Sequence, residues 1–285
     1  MPIIDVHSHA LQYPQHFTDD FRRQARRARA DTEIDLTVRY ADYRAACPPQ
    51  TITVVFGGKA KLSGFWVDDD HVARYVARHP KQLIGFLALD PTQPGYYKEM
   101  RRGHEQLGLQ GIKLMPMYAG FDPRDPRLDP IYRYASRNDL PILLHTGTTF
   151  VAQAPLRCTL PRLLDDVAVR FPDVKMILAH LAHPYEDECI VTIRKHPNLF
   201  ADISALHYRP WQLYHSLMRV QEYGVWDSLL FGSDYPFTTV NASITGLRAL
   251  NQMVEQTNLP QLDAKQIESL IHRDSLKLLD LKRPR

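Results

Sequence analysis

Short apolar runs alternate with amphipathic stretches along this chain. Ile3–Val6, Thr51–Phe56, Leu83–Leu89, Gly111–Met115, Pro141–Leu144, Val174–Ala179, Leu199–Ile203 and Ser228–Phe231 read as strands, several of them apolar without interruption. Between them, Asp68–Arg78 sets Val72, Tyr75 and Val76 on one helical face, and Tyr96–Gln106, Pro161–Phe171 and Tyr185–His196 carry the same period. Strands that alternate with helices predict a parallel sheet joined by crossover helices, and uninterrupted apolar strands predict a sheet whose outer face is covered. The expected fold is α/β, a (β/α)8 TIM barrel formed by one domain over residues 1–285. A doubly wound open sheet is the rival, weakened because no GxGxxG follows the first strand.

Two segments depart from the cycle. Residues 10–50 form an insertion after the first strand, in which Phe21–Ala30 reads as helix and Cys47-Pro48-Pro49 as a stop. Ala264–Leu281, with Ile267, Leu270, Ile271 and Leu278 at helical spacing, is expected to pack on the barrel wall.

Composition narrows the classes of function. The 285 residues are 44% hydrophobic and 24% charged with a net charge of +3, enough apolar material for a large core. The charge gives no basis for a nucleic-acid partner and leaves room for small acidic substrates. Cys47, Cys158 and Cys189 are far apart and odd in number, which fits neither a disulfide framework nor a thiolate zinc site and points to a reducing cytoplasm. No stretch reaches the apolar length of a membrane span, and Asp5, His7 and His9 stand where a signal peptide would be apolar.

The candidate chemistry sits where the apolar runs end. His7 and His9 close the first, His145 and His180 end the fifth and sixth, and Asp234 follows Leu229–Ser233. Side chains two apart on a strand share a face, so His7 and His9 can grip one ion. With 13 histidines, about one His-x-His arises by chance, and the placement of the other groups is what gives the pair weight. In a barrel the C-terminal strand ends converge on one mouth, where these residues would meet. Imidazole nitrogens and a carboxylate suit zinc, with manganese, iron or cobalt as alternatives, and three histidines with Asp234 leave a place for a water the ion would activate.

The set Asp5-Val6-His7-Ser8-His9, Gly111-Ile-Lys113-Leu, Leu144-His145-Thr-Gly147, Leu178-Ala-His180 and Leu230-Phe-Gly-Ser-Asp234-Tyr-Pro236 resembles the amidohydrolase superfamily. It is most similar to the branch that contains aminocarboxymuconate-semialdehyde decarboxylase and resorcylate decarboxylases. The resemblance implies a distorted barrel and a catalytic divalent metal held by His7, His9, His145 and Asp234, with Asp234 also a base. His180 matches a histidine that is a general acid or base in mononuclear members and a ligand to a second metal in binuclear ones; one metal is expected here. Lys113 matches a lysine that is carboxylated and bridges two metals in some members; its other role is an ammonium that binds a substrate carboxylate or oxyanion. Met115 stands where relatives often carry histidine. Relatives often form a homodimer, although no interface stripe is legible in this chain.

These readings lead to a hydrolase that uses a metal-activated water on an ester, lactone or amide of a small carboxylated molecule, with Asp234 and His180 moving protons. The same residues could instead run the non-oxidative decarboxylation of an aromatic or unsaturated acid. A third reading is a barrel that only binds. Outside the set, His183 reads as a loop residue or a support to its neighbours, Asp202 as a group that orients an imidazole, and His207 as one that could face the pocket. His16, His71, His79, His104, His196, His215 and His272 read as surface positions. Arg22, Arg23, Arg26, Arg27 and Arg29 form either a solvated helix face or a lid rim that attracts anions. Tyr118, Phe150 and Trp66 are candidates for the pocket wall or for packing.

Overall fold

The computed structural model describes residues 2–29 and 32–284. Its eight barrel strands are Ile4–His9, Ile52–Phe56, Leu83–Leu89, Ile112–Leu114, Ile142–Leu144, Met176–Leu178, Leu199–Asp202 and Leu229–Leu230, called here the first to the eighth. They pair in sequence order, every pair parallel. The first strand closes on the eighth through Val6 N to Phe231 O at 3.0 Å, Asp234 N to His7 O at 2.7 Å and His9 N to Tyr235 O at 2.9 Å. The result is a (β/α)8 barrel with helices outside, as the alternating pattern requires.

Inside the barrel, Ile4, Val6, Val54, Phe86, Leu143, Ile177 and Leu230 form one apolar cluster with Leu276, Leu279 and Leu281 from the end of the chain. These last residues sit at the N-terminal strand ends, where Lys175, just before the sixth strand, pairs with Asp280, and Lys282 N bonds Gln110 Oε1 at 3.1 Å. The expected helix over 264–281 is therefore two, Ala264–Ile271 on the outer layer and Ser275–Leu278 below the barrel. Asp274 accepts from Lys277 N at 3.4 Å and starts the second helix, which is why the period breaks there. With the lower end filled by leucines, polar chemistry is confined to the mouth.

A register shift in the first strand sets the site. Ile4 and Asp5 face Ile52 and Thr53, whereas Ser8 and His9 face Val55 and Phe56, so Val6 and His7 together oppose Val54. Such a bulge reverses the alternation. Ile4 and Val6 fill the interior before it, and His7 and His9 turn inward after it.

The insertion holds helices Asp19–Ala25 and Tyr40–Ala45; the expected helix over Phe21–Ala30 ends early, and its last residue lies outside the described residues. The hydroxyl of Thr18 caps the first of these through Phe21 N at 3.2 Å. Gly57 and Gly58 end the second strand as expected, but the chain then forms a small antiparallel ribbon, Lys59–Ala60 with Phe65–Trp66, on which Phe17 and Phe21 stack. Two histidines read as surface groups are buried: His196 Nε2 meets Asp165 Oδ1 at 2.6 Å, and His16 Nδ1 accepts from Gln12 N at 2.9 Å.

Asp5, fully buried behind the first strand, ties this seam. Its carboxylate accepts from Ser233 N at 2.8 Å, Ser233 Oγ at 2.7 Å, Tyr43 Oη at 3.1 Å and His7 N at 3.2 Å. Asp5→Ala would take this acceptor from the buried amides of His7 and Ser233, while Tyr43 Oη keeps Thr53 Oγ1 and Ser233 Oγ keeps His7 O, and is expected to cost about 3 kcal/mol. Urea unfolding measures this, and a loss below about 1 kcal/mol would show that the seam does not depend on Asp5.

Candidate metal centre and substrate cavity

His7, His9 and Asp234 present donor atoms that all lie within 4.8 Å of one another. His9 Nε2 is 3.1 Å and His7 Nε2 3.3 Å from the same oxygen, Asp234 Oδ1. Ligand atoms of a tetrahedral zinc ion at 2.0–2.1 Å stand about 3.3 Å apart, so the spacing fits one ion. His7 Nε2 is also buried with no hydrogen-bond partner among the described residues, an orphan that a cation would satisfy.

Asp202, at the end of the seventh strand and fully buried, sets the tautomers. Its Oδ2 is 2.8 Å from His7 Nδ1. Oδ1 accepts His180 N at 3.0 Å, Ser204 N at 3.1 Å and the Ser204 hydroxyl at 2.5 Å. His7 therefore carries its proton on Nδ1 and turns a bare Nε2 to the centre. With its hydrogen spent on Asp202, Ser204 Oγ accepts from His180 Nδ1 at 2.9 Å, and Ser204 O lies 3.2 Å from the same nitrogen. His180 is thus also protonated on Nδ1, with Nε2 free to take a proton. His7, His180 and Asp202 also group at metal-ligand distances, but these hydrogen bonds already occupy both Asp202 oxygens.

Burial opposes ionisation of Asp202 and Asp234, yet their hydrogen bonds and the nearby imidazoles outweigh it and hold both far below the usual carboxylate range. Burial lowers His9 and His180 to about 4, so both are neutral at pH 7. Burial also acts to lower His7, but Asp202 overrides it and the net shift is upward, so an ion binding at Nε2 must compete with a proton there.

His145 and Lys113 take positions the sequence did not specify. His145 stays outside the three-residue group: its Nε2 is 3.1 Å from Thr148 O, and its ring lies edge-on to Tyr118 at 4.8 Å and 5.1 Å from His180 between centroids. Lys113 is 1% exposed, and its Nζ has no hydrogen-bond partner among the described residues. It sits 4.5 Å over the Phe56 ring, behind the wall of the cavity rather than on it. Burial brings its ammonium down to about 7 against the pull of Asp202 and Asp234.

A cavity of about 150 Å³ opens over His9, Asp234, His145 and His180. Phe17, Phe21, Phe65, Tyr118, Phe150 and Phe237 make it largely aromatic, so Tyr118 and Phe150 line it and Trp66 does not. The insertion forms part of this wall, fastened by Gln24 Oε1 accepting from Ala152 N at 2.7 Å and Arg27 Nη2 donating to Phe150 O at 2.8 Å. The arginine run is divided accordingly: Arg27 lines the cavity, Arg23 pairs with Asp20 and Arg22 covers Tyr13. His207 stands off the wall, its Nε2 3.1 Å from Thr238 Oγ1. Arg209, Tyr208 and His183 are wall residues that the strand-end pattern does not reveal, because they lie in loops.

Replacing Asp202 by Asn removes the charge and leaves one acceptor oxygen, which the three donors at Oδ1 claim, so that an NH2 group faces His7 Nδ1; metal binding is expected to weaken about 10- to 100-fold. Competition of the protein with a chromophoric chelator for manganese or zinc reads this directly. Unchanged affinity would mean that Asp202 does not orient the centre.

The family model described as "Amidohydrolase" matches residues 4–281. A 2-amino-3-carboxymuconate-6-semialdehyde decarboxylase of Dictyostelium discoideum is 33% identical over 101 residues, 33% of this chain and 28% of that protein. The fold is similar to that of a probable 2-pyrone-4,6-dicarboxylic acid hydrolase of Acinetobacter baumannii (TM-score 0.67, 14% identity, 99% of this chain and 100% of that one). It is equally similar to a 5-carboxyvanillate decarboxylase of Novosphingobium aromaticivorans with bound manganese (TM-score 0.67, 15% identity, 98% and 97% of the two chains). The chain belongs to the amidohydrolase family.

Proposed function

We propose that this enzyme is a metal-dependent hydrolase of a small, ring-bearing carboxylated substrate, opening an ester, lactone or amide bond. The observation that carries the reading is His180: a neutral imidazole protonated on Nδ1 toward Ser204, with its other nitrogen free beside the ligand group. A base that removes a proton from water needs that tautomer. One divalent ion held by His7, His9 and Asp234, with His145 at the edge of the same pocket, would polarise the carbonyl and acidify the water. Zinc is the reading from the donor set, and manganese is the alternative that the manganese-bound relative supports.

The chain's own residues supply the remaining steps. His180 takes the proton from water and returns it to the leaving group, with Asp234 as a second proton acceptor on the same wall. Lys113, in the fraction that stays protonated near pH 7, adds positive charge behind the cavity wall, which favours an oxyanion without contact to the substrate. The aromatic wall excludes water and suits a single ring. The three cysteines are buried and free, which supports a cytoplasmic location. No described helix is long and apolar enough to cross a membrane.

A decarboxylase reading is favoured by the Dictyostelium relative and uses the same residues, with His180 or Asp234 first taking a proton from water and passing it to the carbon that loses carbon dioxide. Two measurements separate the readings. Chelation should abolish turnover of a panel of lactones, amides and hydroxybenzoates, and zinc or manganese should restore it; activity indifferent to metal would sink both. On an active substrate, incorporation of oxygen from labelled water without carbon dioxide supports hydrolysis, and the reverse supports decarboxylation. His180→Asn should lower kcat about 100-fold or more with little change in metal affinity.

A further inference from the structure

His183 is a cavity-lining residue that the proposed chemistry leaves without a task. The chain reaches it through three successive left-handed residues, His180 (φ 59°), Leu181 (φ 47°) and Ala182 (φ 53°), with His183 N donating to His180 O at 2.9 Å. Such backbone is costly for non-glycine residues and persists only where the surroundings enforce it. Gly147 is part of that enforcement: it has φ 88°, and a Cβ there would lie 2.1 Å from His183 O. The loops after the fifth and sixth strands thus lock against each other and fix where His183 stands.

The side chain is fixed as well. His183 Nδ1 is 3.3 Å from Glu186 Oε1 and also meets the Gln212 side-chain amide, which donates to Glu186 Oε1 at 2.7 Å. Ser216 Oγ donates to the same carboxylate oxygen at 3.3 Å. Glu186 opens helix Glu186–Lys195, where the dipole favours its charge. Burial pushes its carboxyl up, but the bonds from His183, its own backbone and Gln212 outweigh this and keep it below the ordinary range. His183 Nε2 has no protein partner among the described residues and is not one of the sealed, unpaired atoms, so it is the open polar position of the ring. The Gln212 amide nitrogen can only donate, one hydrogen to Glu186 Oε1 and the other to Nδ1, so Nδ1 is the acceptor and the ring hydrogen stands on Nε2. Arg209 shares this wall and is held by Nη1 donating to Ala205 O at 3.3 Å and by the Tyr208 ring 4.5 Å beneath its guanidinium.

We propose that His183, oriented by Glu186 and Gln212, is a specificity residue that donates a hydrogen bond to a second oxygen anion of an aromatic acid, away from the group held at His7, His9 and Asp234. This rests on the reading of the cavity as a site for small carboxylated rings. The substrate class it selects is a ring with two acidic or oxyanionic substituents. Glu186 is the positioning residue, acting only through His183.

The test is calorimetric titration of manganese-loaded protein with benzoate and with the three benzene dicarboxylates, beside nitrogen-15 spectra of the imidazoles. Wild-type protein is expected to hold one dicarboxylate isomer more tightly than benzoate, and that isomer alone should shift the His183 Nε2 resonance. His183→Gln should weaken this isomer about tenfold, the loss of one charged hydrogen bond, and change benzoate less than twofold. Glu186→Gln should do the same to a smaller extent, and it stands in if His183→Gln does not fold. Dicarboxylate affinity unchanged in either folded variant, or equal losses for both ligands, overturns the inference while the metal-dependent reading stands. Failure of wild-type protein to bind any of these acids overturns both the inference and the carboxylated-substrate reading.

Discussion

The site depends on one buried carboxylate. Asp202 takes a hydrogen from His7 Nδ1 on one oxygen and from His180 N, Ser204 N and Ser204 Oγ on the other. An isolated charge at zero exposure would be expelled or protonated, and these four donors are what keep it in place as an anion. In return it fixes two different imidazoles: His7 directly, with a bare Nε2, and His180 through Ser204. The orientation of both rings is thereby set by a residue that does not line the cavity.

Around this anchor the barrel divides its labour between its two ends. The lower end is apolar and closed by Leu276, Leu279 and Leu281, which ties the chain terminus to the interior of the barrel. The mouth carries the strained backbone: His180, Leu181, Ala182, Ala205 and Asp234 all have positive φ. Left-handed conformations in non-glycine residues are tolerated where rigid strands fix both flanks, and here they aim His180 and Asp234 into one cavity. Stability thus resides in the strands and the lower core, and the chemistry in their upper ends.

The cavity joins two unlike surfaces. Its floor is ionic, with Asp234 facing histidines and Lys113 behind them, whereas its sides are aromatic, drawn from the insertion (Phe17, Phe21), the small ribbon (Phe65) and the loops that carry Tyr118, Phe150 and Phe237. Low polarity on the sides strengthens every charge interaction at the floor. Arg27, Arg209 and His183 return polarity to the walls, so a flat anionic ring would meet complementary chemistry on both its faces and its substituents.

Period and placement in the sequence alone were enough to give eight strands, their parallel order and the location of chemistry at their C-terminal ends, because apolar runs and strand-end polar residues are local signals. The convergence of His7, His9, His180 and Asp234 at the mouth was legible for that reason, and so was a contact from Asp202 to an imidazole. Tertiary structure decided the rest. The bulge opposite Val54 that turns His7 inward depends on pairing with another strand. The position of Lys113 behind the wall, the Thr148 carbonyl beside His145 and the break before Ser275 depend on contacts between segments remote in the chain or on loop geometry. The same holds for Arg27, His183 and Arg209: loop residues have no period to read, and only the folded chain sets them around one cavity.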